Sequence, residues 1–394
     1  MIKASKAISK MRPIQYAFDP AGTTPPALQK LKHFSFLSDS LSHPTLGLHN
    51  TEAINPSAVR VPWPTYFPAC VQCKYWPEAK RAAQAILHQI MDASPEHQGM
   101  IPSRIHKEMI SGSAMTKSQE LVETSFTAPI NMFPAASKTR AEIMAKANVL
   151  IFMHDDVIES HLANEGTTII DDALVNLQSE NVPIEKVEWK NNIFGQFARE
   201  ALEEDPVTGP EYVYSVLQWA DYTRNNSATH SLRFSTFGDY LGFRIRDFAV
   251  EFIVASLKFT CEAPLSETEI EPLKSAGNLY IAHFALTNDL YSYDKEARES
   301  AEHGSAVVNG VQVLQDLLCV SPSTAKILLR TLLLDIEKRL YDEYEALVIN
   351  KELNDNQLRY ARGMIESLAG NIFYSATCFR YARVIPGALL DLSA

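Results

Sequence analysis

From Glu78 onwards the sequence contains long segments whose apolar residues recur every three or four positions, separated by short breaks rich in Pro, Gly, Ser or Asn. This spacing puts apolar side chains on one face of an α-helix, and few segments alternate as a strand would. The pattern predicts one all-α domain over residues 66–394. The predicted helices are about 78–93, 138–160, 193–203, 210–228, 235–260, 268–297, 323–349 and 355–383.

Residues 1–65 follow a different pattern, because prolines are frequent there and apolar residues show little periodicity. The sequence predicts an irregular N-terminal arm over these residues. We expect removal of about the first 45 residues to sacrifice few buried contacts.

Composition excludes several classes of protein. The chain has 36 basic and 47 acidic residues, a formal charge of -11, and no Lys/Arg run, which argues against a nucleic-acid partner. No stretch approaches the roughly 20 apolar residues of a membrane span, and residues 1–11 lack the apolar core of a secretory signal. Five cysteines are a sparse, odd set that indicates a reducing compartment, so we expect a cytoplasmic protein. Cys70 and Cys73 form a CxxC with no second pair at zinc-finger spacing, and we interpret them as two half-buried thiols.

The first candidate for chemistry is an acidic cluster at the end of the predicted helix 138–160. Asp155 and Glu159 are four residues apart and share a helical face, and Asp156 lies about 100° round the helix. Hard oxygen ligands of this kind suit Mg²⁺, although a solvated acidic turn is the simpler explanation of the cluster alone. The pair Asp171-Asp172 has no acid three or four residues further on, and we interpret it as structural.

The second candidate is a polar stripe on the predicted helix 268–297. Asn288, Ser292 and Glu296 stand at i, i+4 and i+8, so an amide oxygen, a hydroxyl and a carboxylate lie on one face. Such a set can chelate one hard divalent ion and leave positions open for ligand oxygens. Lys295 beside the stripe could meet an anion, and Phe284 continues it on the apolar side.

The two motifs, with Asn288 standing 133 residues after Asp155 (288 minus 155), resemble the paired metal motifs of class I terpene cyclases. The likeness covers about residues 65–385 and is greatest to fungal members, including the cyclase part of bifunctional diterpene and sesterterpene synthases. It implies a helical bundle around an apolar active-site cavity and a trinuclear Mg²⁺ cluster that is completed when diphosphate binds. The implied metal ligands are Asp155, Asp156, Glu159, Asn288, Ser292 and Glu296.

The resemblance also assigns residues that would grip the diphosphate. The family has an Arg-x-x-Asp arrangement before its Asn motif, which Arg244 and Asp247 match, 44 residues (288 minus 244) ahead of Asn288. Arg244 would sense the diphosphate, and Asp247 would couple it to the carbonyl of Phe248. The family ends with an Arg-Tyr pair, matched by Arg380 and Tyr381, which could donate several bonds to diphosphate oxygens.

The implied reaction is ionisation of an isoprenyl diphosphate, with cyclisation of the carbocation to a sesquiterpene or diterpene and release of diphosphate. Arg244, Lys295, Arg380 and Tyr381 would clamp the leaving group. Aromatic faces can stabilise a cation, and Phe152 and Phe284, each about one turn before a metal motif, are the best candidates. Ordinary core packing explains these two rings equally well. Tyr374 would be a further substrate-binding residue, and it is a weaker candidate than the other two.

Substrate size and supply follow less directly. No prenyltransferase sequence follows Ala394, so we expect a separate prenyltransferase to supply the isoprenyl diphosphate. Farnesyl diphosphate (C15) is favoured, and geranylgeranyl diphosphate (C20) is a close second because of the likeness to bifunctional enzymes. A homodimer stays open as a further partner.

Three other classes remain as alternatives. A chain-elongating prenyltransferase would share the helical fold and Mg²⁺ use but would carry a second Asp-rich motif in place of the Asn/Ser/Glu stripe. An HD-type metal phosphohydrolase could use His154-Asp155 with further ligands such as His161 and His230. A non-catalytic helical scaffold would leave the coincidence of motifs unexplained.

Overall fold

The computed structural model describes residues 11–22, 32–38, 50–92, 117–159, 169–170, 173–174, 183–225, 232–303, 307–350 and 352–390. Its helices are α1 (Trp76–Asp92), α2 (Lys117–Met132), α3 (Lys138–Glu159), α4 (Ile193–Glu204), α5 (Gly209–Asn225), α6 (Phe237–Asp247), α7 (Val250–Cys261), α8 (Glu267–Ile270), α9 (Lys274–His303), α10 (Gly310–Leu318), α11 (Pro322–Ile349), α12 (Asp355–Thr377) and α13 (Phe379–Ala382). Short 3₁₀ segments occur at Lys32–Leu37, Pro56–Val59, Ile184–Lys186 and Glu271–Leu273.

Helices α9 and α12 lie at the centre of the bundle. Helix α9 packs against α11 and α12, and α12 packs in turn on α2 and α7. Every residue of α12 from Tyr360 to Thr377 is buried, which a surface helix with one apolar stripe would not show. Since helices make up most of the described residues, the all-α class predicted from periodicity is confirmed.

Gly370 sets the distance between α12 and α2. A Cβ at this position would collide with the backbone carbonyl oxygen of Asn131 in α2. The two helix backbones therefore touch where Gly370 has no side chain, and any other residue would force them apart.

Several predicted boundaries were wrong. The segment predicted as one helix over 235–260 is broken at Phe248 and Ala249, where Ala249 has a positive φ of 54°. Helix 355–383 likewise ends at Thr377, because Cys378 is extended before α13 begins. Helices α2 and α10 were missed; α2 contains Pro129 in its interior, which normally argues against a helix.

The N-terminal arm is not irregular throughout. Strand β1 (Thr51–Ile54) pairs antiparallel with β2 (Cys70–Cys73), with Thr51 opposite Cys73. Both thiols of the CxxC are buried rather than half-buried. The boundary between residues 65 and 66 stays a prediction, although this small sheet crosses it.

Other parts of the arm also contribute to the core. Ile14, Phe18 and Phe34 are all less than 10% exposed, and the ring of Phe34 packs on Tyr341 and Tyr344 of α11. The expectation that truncation of the arm would sacrifice few buried contacts was wrong.

A buried acid ties the end of the arm to the bundle. Glu337 of α11, 2% exposed, accepts hydrogen bonds from the Thr65 hydroxyl (2.8 Å) and the Tyr66 backbone N–H (2.6 Å). Its other carboxylate oxygen lies 3.1 Å from Nε2 of His283 in α9. One side chain thus joins the arm, α11 and the helix that carries the polar stripe.

No single helix in the described ranges is long and apolar enough to cross a membrane; α10 and α11 pass that test only as a pair bent by 114°.

Candidate active site

The Asn/Ser/Glu stripe lies on one face of α9, as the helical spacing predicted. Ser292 is 3% exposed, and its hydroxyl donates to Oε1 of Glu296 at 2.6 Å. Asn288 and Glu296 are half-buried. Burial raises the pKa of Glu296, while the positive charges of Arg244 and Lys295 act to lower it. An oxygen set held this way can exchange its internal bonds for a cation.

Arg244, at the end of α6, holds three acceptors at once. Its Nη2 donates to Oδ1 of Asn288 (3.0 Å), its Nη1 to Oδ2 of Asp247 (2.9 Å) and its Nε to Oδ1 of Asp289 (2.9 Å). The guanidinium carbon also lies 4.7 Å from the centre of the Phe248 ring. The predicted pairing with Asp247 is therefore present, and the planar fork of Arg is what allows all three bonds.

Asp289 is a site residue that the sequence analysis missed. Its side chain is fully buried and accepts hydrogen bonds from Arg244, from the hydroxyl of Tyr240 and from the Gly310 backbone N–H at 3.1 Å. Burial raises the pKa of Asp289, and Arg244 opposes that shift. A Cβ at Gly310 would lie 2.9 Å from Oδ2 of Asp289, so glycine permits this close approach. The position next to Asn288 in the sequence was the one available signal.

Asn309, before α10, was missed as well. Its Oδ1 caps α10 by accepting from the Val311 N–H at 2.9 Å. Its Nδ2 donates to the Asp289 carbonyl (2.9 Å) and to Oε2 of Glu296 (3.1 Å). Asn309 is fully buried, so one amide fixes both the start of α10 and the carboxylate of the stripe.

The C-terminal pair joins the two motif helices. The Tyr381 hydroxyl accepts from Nδ2 of Asn288 at 2.8 Å, and Nη2 of Arg380 lies 3.7 Å from Oδ2 of Asp155 in α3. The Arg380 guanidinium also sits 5.8 Å from the centre of the Phe152 ring. Residues from three distant parts of the chain thus meet at one place.

The structure tells less about four other residues that the sequence analysis named. Asp156 and Glu159 belong to α3, but their side chains, like all of Asp171, lie outside what the structure describes. Lys295 pairs with Oε2 of Glu299 at 3.0 Å, and its expected contact with an anion stays a prediction.

The predicted aromatic residues lie beside these polar groups. Phe284 is buried and forms a cluster with Tyr280 and Phe248, with ring centres 5.8 and 5.9 Å away. Tyr374 is buried, with its ring centre 6.2 Å from that of Tyr381. Their contribution to substrate binding stays a prediction.

His154 does not support a phosphohydrolase. Its buried ring lies 3.0 Å, through Nε2, from the Thr223 hydroxyl and packs edge-on against Trp219. His161 and His230 lie outside the described residues. Within the described ranges, no three His, Cys, Asp or Glu side chains are grouped as a metal site would need. The donor set that does fit a hard cation is Asn288, Ser292 and Glu296, two neutral oxygens and one carboxylate.

An all-α bundle that brings an acidic helix, an Asn/Ser/Glu helix and an Arg-Tyr pair together defines a class I enzyme acting on a diphosphate. The model of terpene synthase family 2, C-terminal metal binding, matches residues 146–339. Terpene cyclase 6 of Gibberella fujikuroi is 31% identical over 376 residues, 95% of each chain. Terpene cyclase aneC of Aspergillus aculeatus is 35% identical over 335 residues, 85% of this chain and 74% of that one. The chain belongs to the terpene synthase family, whose members are carbon–oxygen lyases.

A solved structure agrees with this assignment at the level of fold. Aristolochene synthase from Penicillium roqueforti superposes with a TM-score of 0.56 at 17% identity, over 76% of this chain and 94% of that one. The class I all-α fold is thus shared at low sequence identity.

Proposed function

We propose that the protein is a Mg²⁺-dependent class I cyclase that ionises a linear isoprenyl diphosphate and closes the resulting carbocation to a cyclic terpene. Farnesyl diphosphate is the favoured substrate and geranylgeranyl diphosphate the second. The observation that carries the proposal is the continuous set of contacts from Asp155 through Arg380, and from Tyr381 through Asn288 to Arg244. These contacts bring Arg380 to Asp155 and bring Tyr381 and Arg244 to Asn288, so each proposed metal motif has at least one such donor beside it.

Asn288, Ser292 and Glu296 would hold one Mg²⁺, and Asp155, Asp156 and Glu159 would hold the others of a trinuclear cluster. Bound Mg²⁺ supplies Lewis acidity that neutralises the developing charge of the diphosphate. The Ser292 hydroxyl and the Asn309 amide orient Glu296 for this role. A carboxylate fixed by two donors needs little reorganisation when its ligand arrives.

The cationic and hydroxyl donors would hold the leaving diphosphate. Arg244 is bonded to Asn288, and Arg380 precedes Tyr381, which is bonded to the same Asn288; both arginines have planar guanidinium groups that suit diphosphate oxygens. Phe284 and Phe152 would then face the carbocation, each contributing up to about 2 kcal/mol where water is excluded. Exclusion of water also protects the cation from capture as an alcohol.

The test is incubation with C10, C15, C20 and C25 isoprenyl diphosphates in Mg²⁺, with gas chromatography of the extract and measurement of released diphosphate. Cyclic hydrocarbon from one chain length, lost when Mg²⁺ is chelated and restored when it is added back, is the expected result. Elongated diphosphates formed on addition of isopentenyl diphosphate would instead identify a prenyltransferase, and metal-independent diphosphate release would refute the proposal.

A further inference from the structure

The N-terminal strap, residues 11–22, lies along the C-terminal end of the chain. Its Ala17 N–H donates to the Ala388 carbonyl at 2.8 Å, and the Leu390 N–H donates to the Gln15 carbonyl at 2.8 Å. Tyr16 and Leu389 form an antiparallel bridge between the same two segments. The strap therefore fixes the chain just beyond α13.

The strap also fixes the chain just before α13. The Phe18 N–H donates to the carbonyl of Ala376 at 3.1 Å. Nη2 of Arg12 donates to the hydroxyl of Thr377, the last residue of α12, at 3.0 Å. Only the extended residue Cys378 separates Thr377 from α13.

Helix α13 depends on such outside contacts because it has four residues, Phe379–Ala382. One turn cannot offset the cost of helix nucleation by its own hydrogen bonds, so packing must impose its position. The Tyr16 ring packs against the Phe379 ring with centres 5.3 Å apart, directly beside Arg380. The strap thus touches α13 itself and holds the chain on both sides of it.

Arg12 is itself rigidly held. It is 3% exposed, its backbone N–H donates to Oε1 of the buried Gln72 at 3.0 Å, and its Nη1 forms an ion pair with Glu123 of α2 at 2.9 Å. The backbone of Arg12 is thus bonded to β2 and its buried guanidinium to α2 and to Thr377, so Arg12 can fix the position of Thr377, which directly precedes Cys378.

We propose that Arg12 is a positioning residue for the reaction: through Thr377 and the strap it sets the orientation of α13 and so places Arg380 and Tyr381 against Asn288 and Asp155. This inference rests on the proposed function for the role of Arg380 and Tyr381 in binding diphosphate. The structural part of the inference, that Arg12 holds α13 in place, does not depend on the proposed function.

The experiment compares Arg12→Met with Lys258→Met in the full-length chain. Lys258 of α7 is a similarly buried cation, 7% exposed, and it pairs with the half-exposed Glu211 of α5 at 2.7 Å. Among the described residues, no hydrogen bond or ion pair joins the Lys258 side chain to the strap. Hydrogen exchange of residues 378–390 without ligand measures how firmly α13 is held. The inhibition constant of inorganic diphosphate in the presence of Mg²⁺ then measures how tightly the site binds diphosphate. KM and kcat measure its action on the substrate.

For Arg12→Met we expect faster exchange over 378–390 and a diphosphate inhibition constant and KM raised about 10- to 100-fold, as for other partners that orient binding groups. Compared at the same folded fraction, Lys258→Met should change neither the exchange rate nor the inhibition constant nor KM. Arg12→Lys should restore part of the affinity for diphosphate. Should Arg12→Met fail to fold, Tyr16→Ala, which removes a half-buried ring, is expected to shift the same quantities in the same direction.

Unchanged exchange over 378–390 in Arg12→Met would overturn the inference. Faster exchange with an unchanged inhibition constant would also overturn it, since the strap would then be merely structural. A wild-type protein that neither turns over isoprenyl diphosphates nor binds diphosphate would refute the proposed function instead, and the exchange result would still decide whether Arg12 holds α13.

Discussion

The substitution Asn309→Asp tests whether the buried amide holds the carboxylate of the stripe. The new oxygen would replace Nδ2, which lies 3.1 Å from Oε2 of Glu296. The other oxygen would still cap α10 through the Val311 N–H. The change is nearly isosteric, so it alters charge and donors without altering the packing.

The magnitude follows from that distance. Two unit charges 3.1 Å apart repel by about 5 kcal/mol at an effective dielectric constant of about 20. Keeping a proton at pH 8 on one acid with an ordinary pKa near 4.3 costs about the same, roughly 5 kcal/mol. The pair can therefore hold two charges or keep one proton, and in either state we expect the free energy of unfolding to fall by about 5 kcal/mol at pH 8.

The sign of the pH dependence is fixed as well. Burial already raises the pKa of Glu296, and a second acid beside it raises the pair's folded-state pKa further above the unfolded value. The folded state then binds more protons than the unfolded state between those two values. Stability is therefore retained at low pH and lost as the pH rises, by up to about 1.4 kcal/mol per pH unit.

The assay is urea unfolding in chelator between pH 6 and 8, with Asn192→Asp as control. Asn192 caps α4 through the Gly195 N–H at 2.8 Å, and its Nδ2 has no hydrogen bond to any residue that the structure describes. The control should change stability by no more than about 0.5 kcal/mol. An Asn309→Asp protein that matches the control at every pH would show that Asn309 does not hold Glu296.

Three further changes separate function from stability. Glu296→Ala should abolish nearly all Mg²⁺-dependent turnover because it removes the one carboxylate of the stripe, while Asp294→Ala on the same helix should not; turnover in Glu296→Ala at the wild-type rate would exclude it as a ligand. Arg380→Ala should lower kcat/KM about ten- to a hundred-fold, the loss of one charge-assisted bond, and add alcohols to the product mixture; a normal rate and product mixture would contradict its role. Glu337→Ala should lower the free energy of unfolding in urea by about 3–5 kcal/mol, because buried donors lose their acceptor; a loss below about 1 kcal/mol would be inconsistent with the network to Thr65 and His283.

The site residues that the sequence could identify came from two sources. Helical spacing alone put Asn288, Ser292 and Glu296 on one face, whereas Arg244, Asp247, Arg380 and Tyr381 came from the family resemblance. Asp289 points to another side of α9, where its partners come from α6 and α10, so no local pattern reveals it. Asn309 is the N-cap of α10, and because the sequence analysis missed this helix, nothing in the sequence distinguished Asn309 from an ordinary loop residue.

The arm was misjudged for a related reason. Ile14 and Phe18 lie on an extended segment, which has no helical period to detect. The partners of that segment are Ala376 and Ala388, more than 350 residues further along the chain. Prolines correctly indicated that the described residues of the arm form no α-helix, but a segment without helix can still pack against the core.

The contact at Gly370 has a consequence for how the site can move. A slide of α12 along its axis by about one turn would bring Glu366 or Tyr374, which share the helical face of Gly370, to the Asn131 carbonyl, where no Cβ fits. Helix α12 is therefore fixed in register against α2 and cannot slide along its own axis. With α12 fixed in this way, we expect Arg380 and Tyr381 to adjust to a ligand through their own side chains and through small shifts of α13, within the limits that the strap sets.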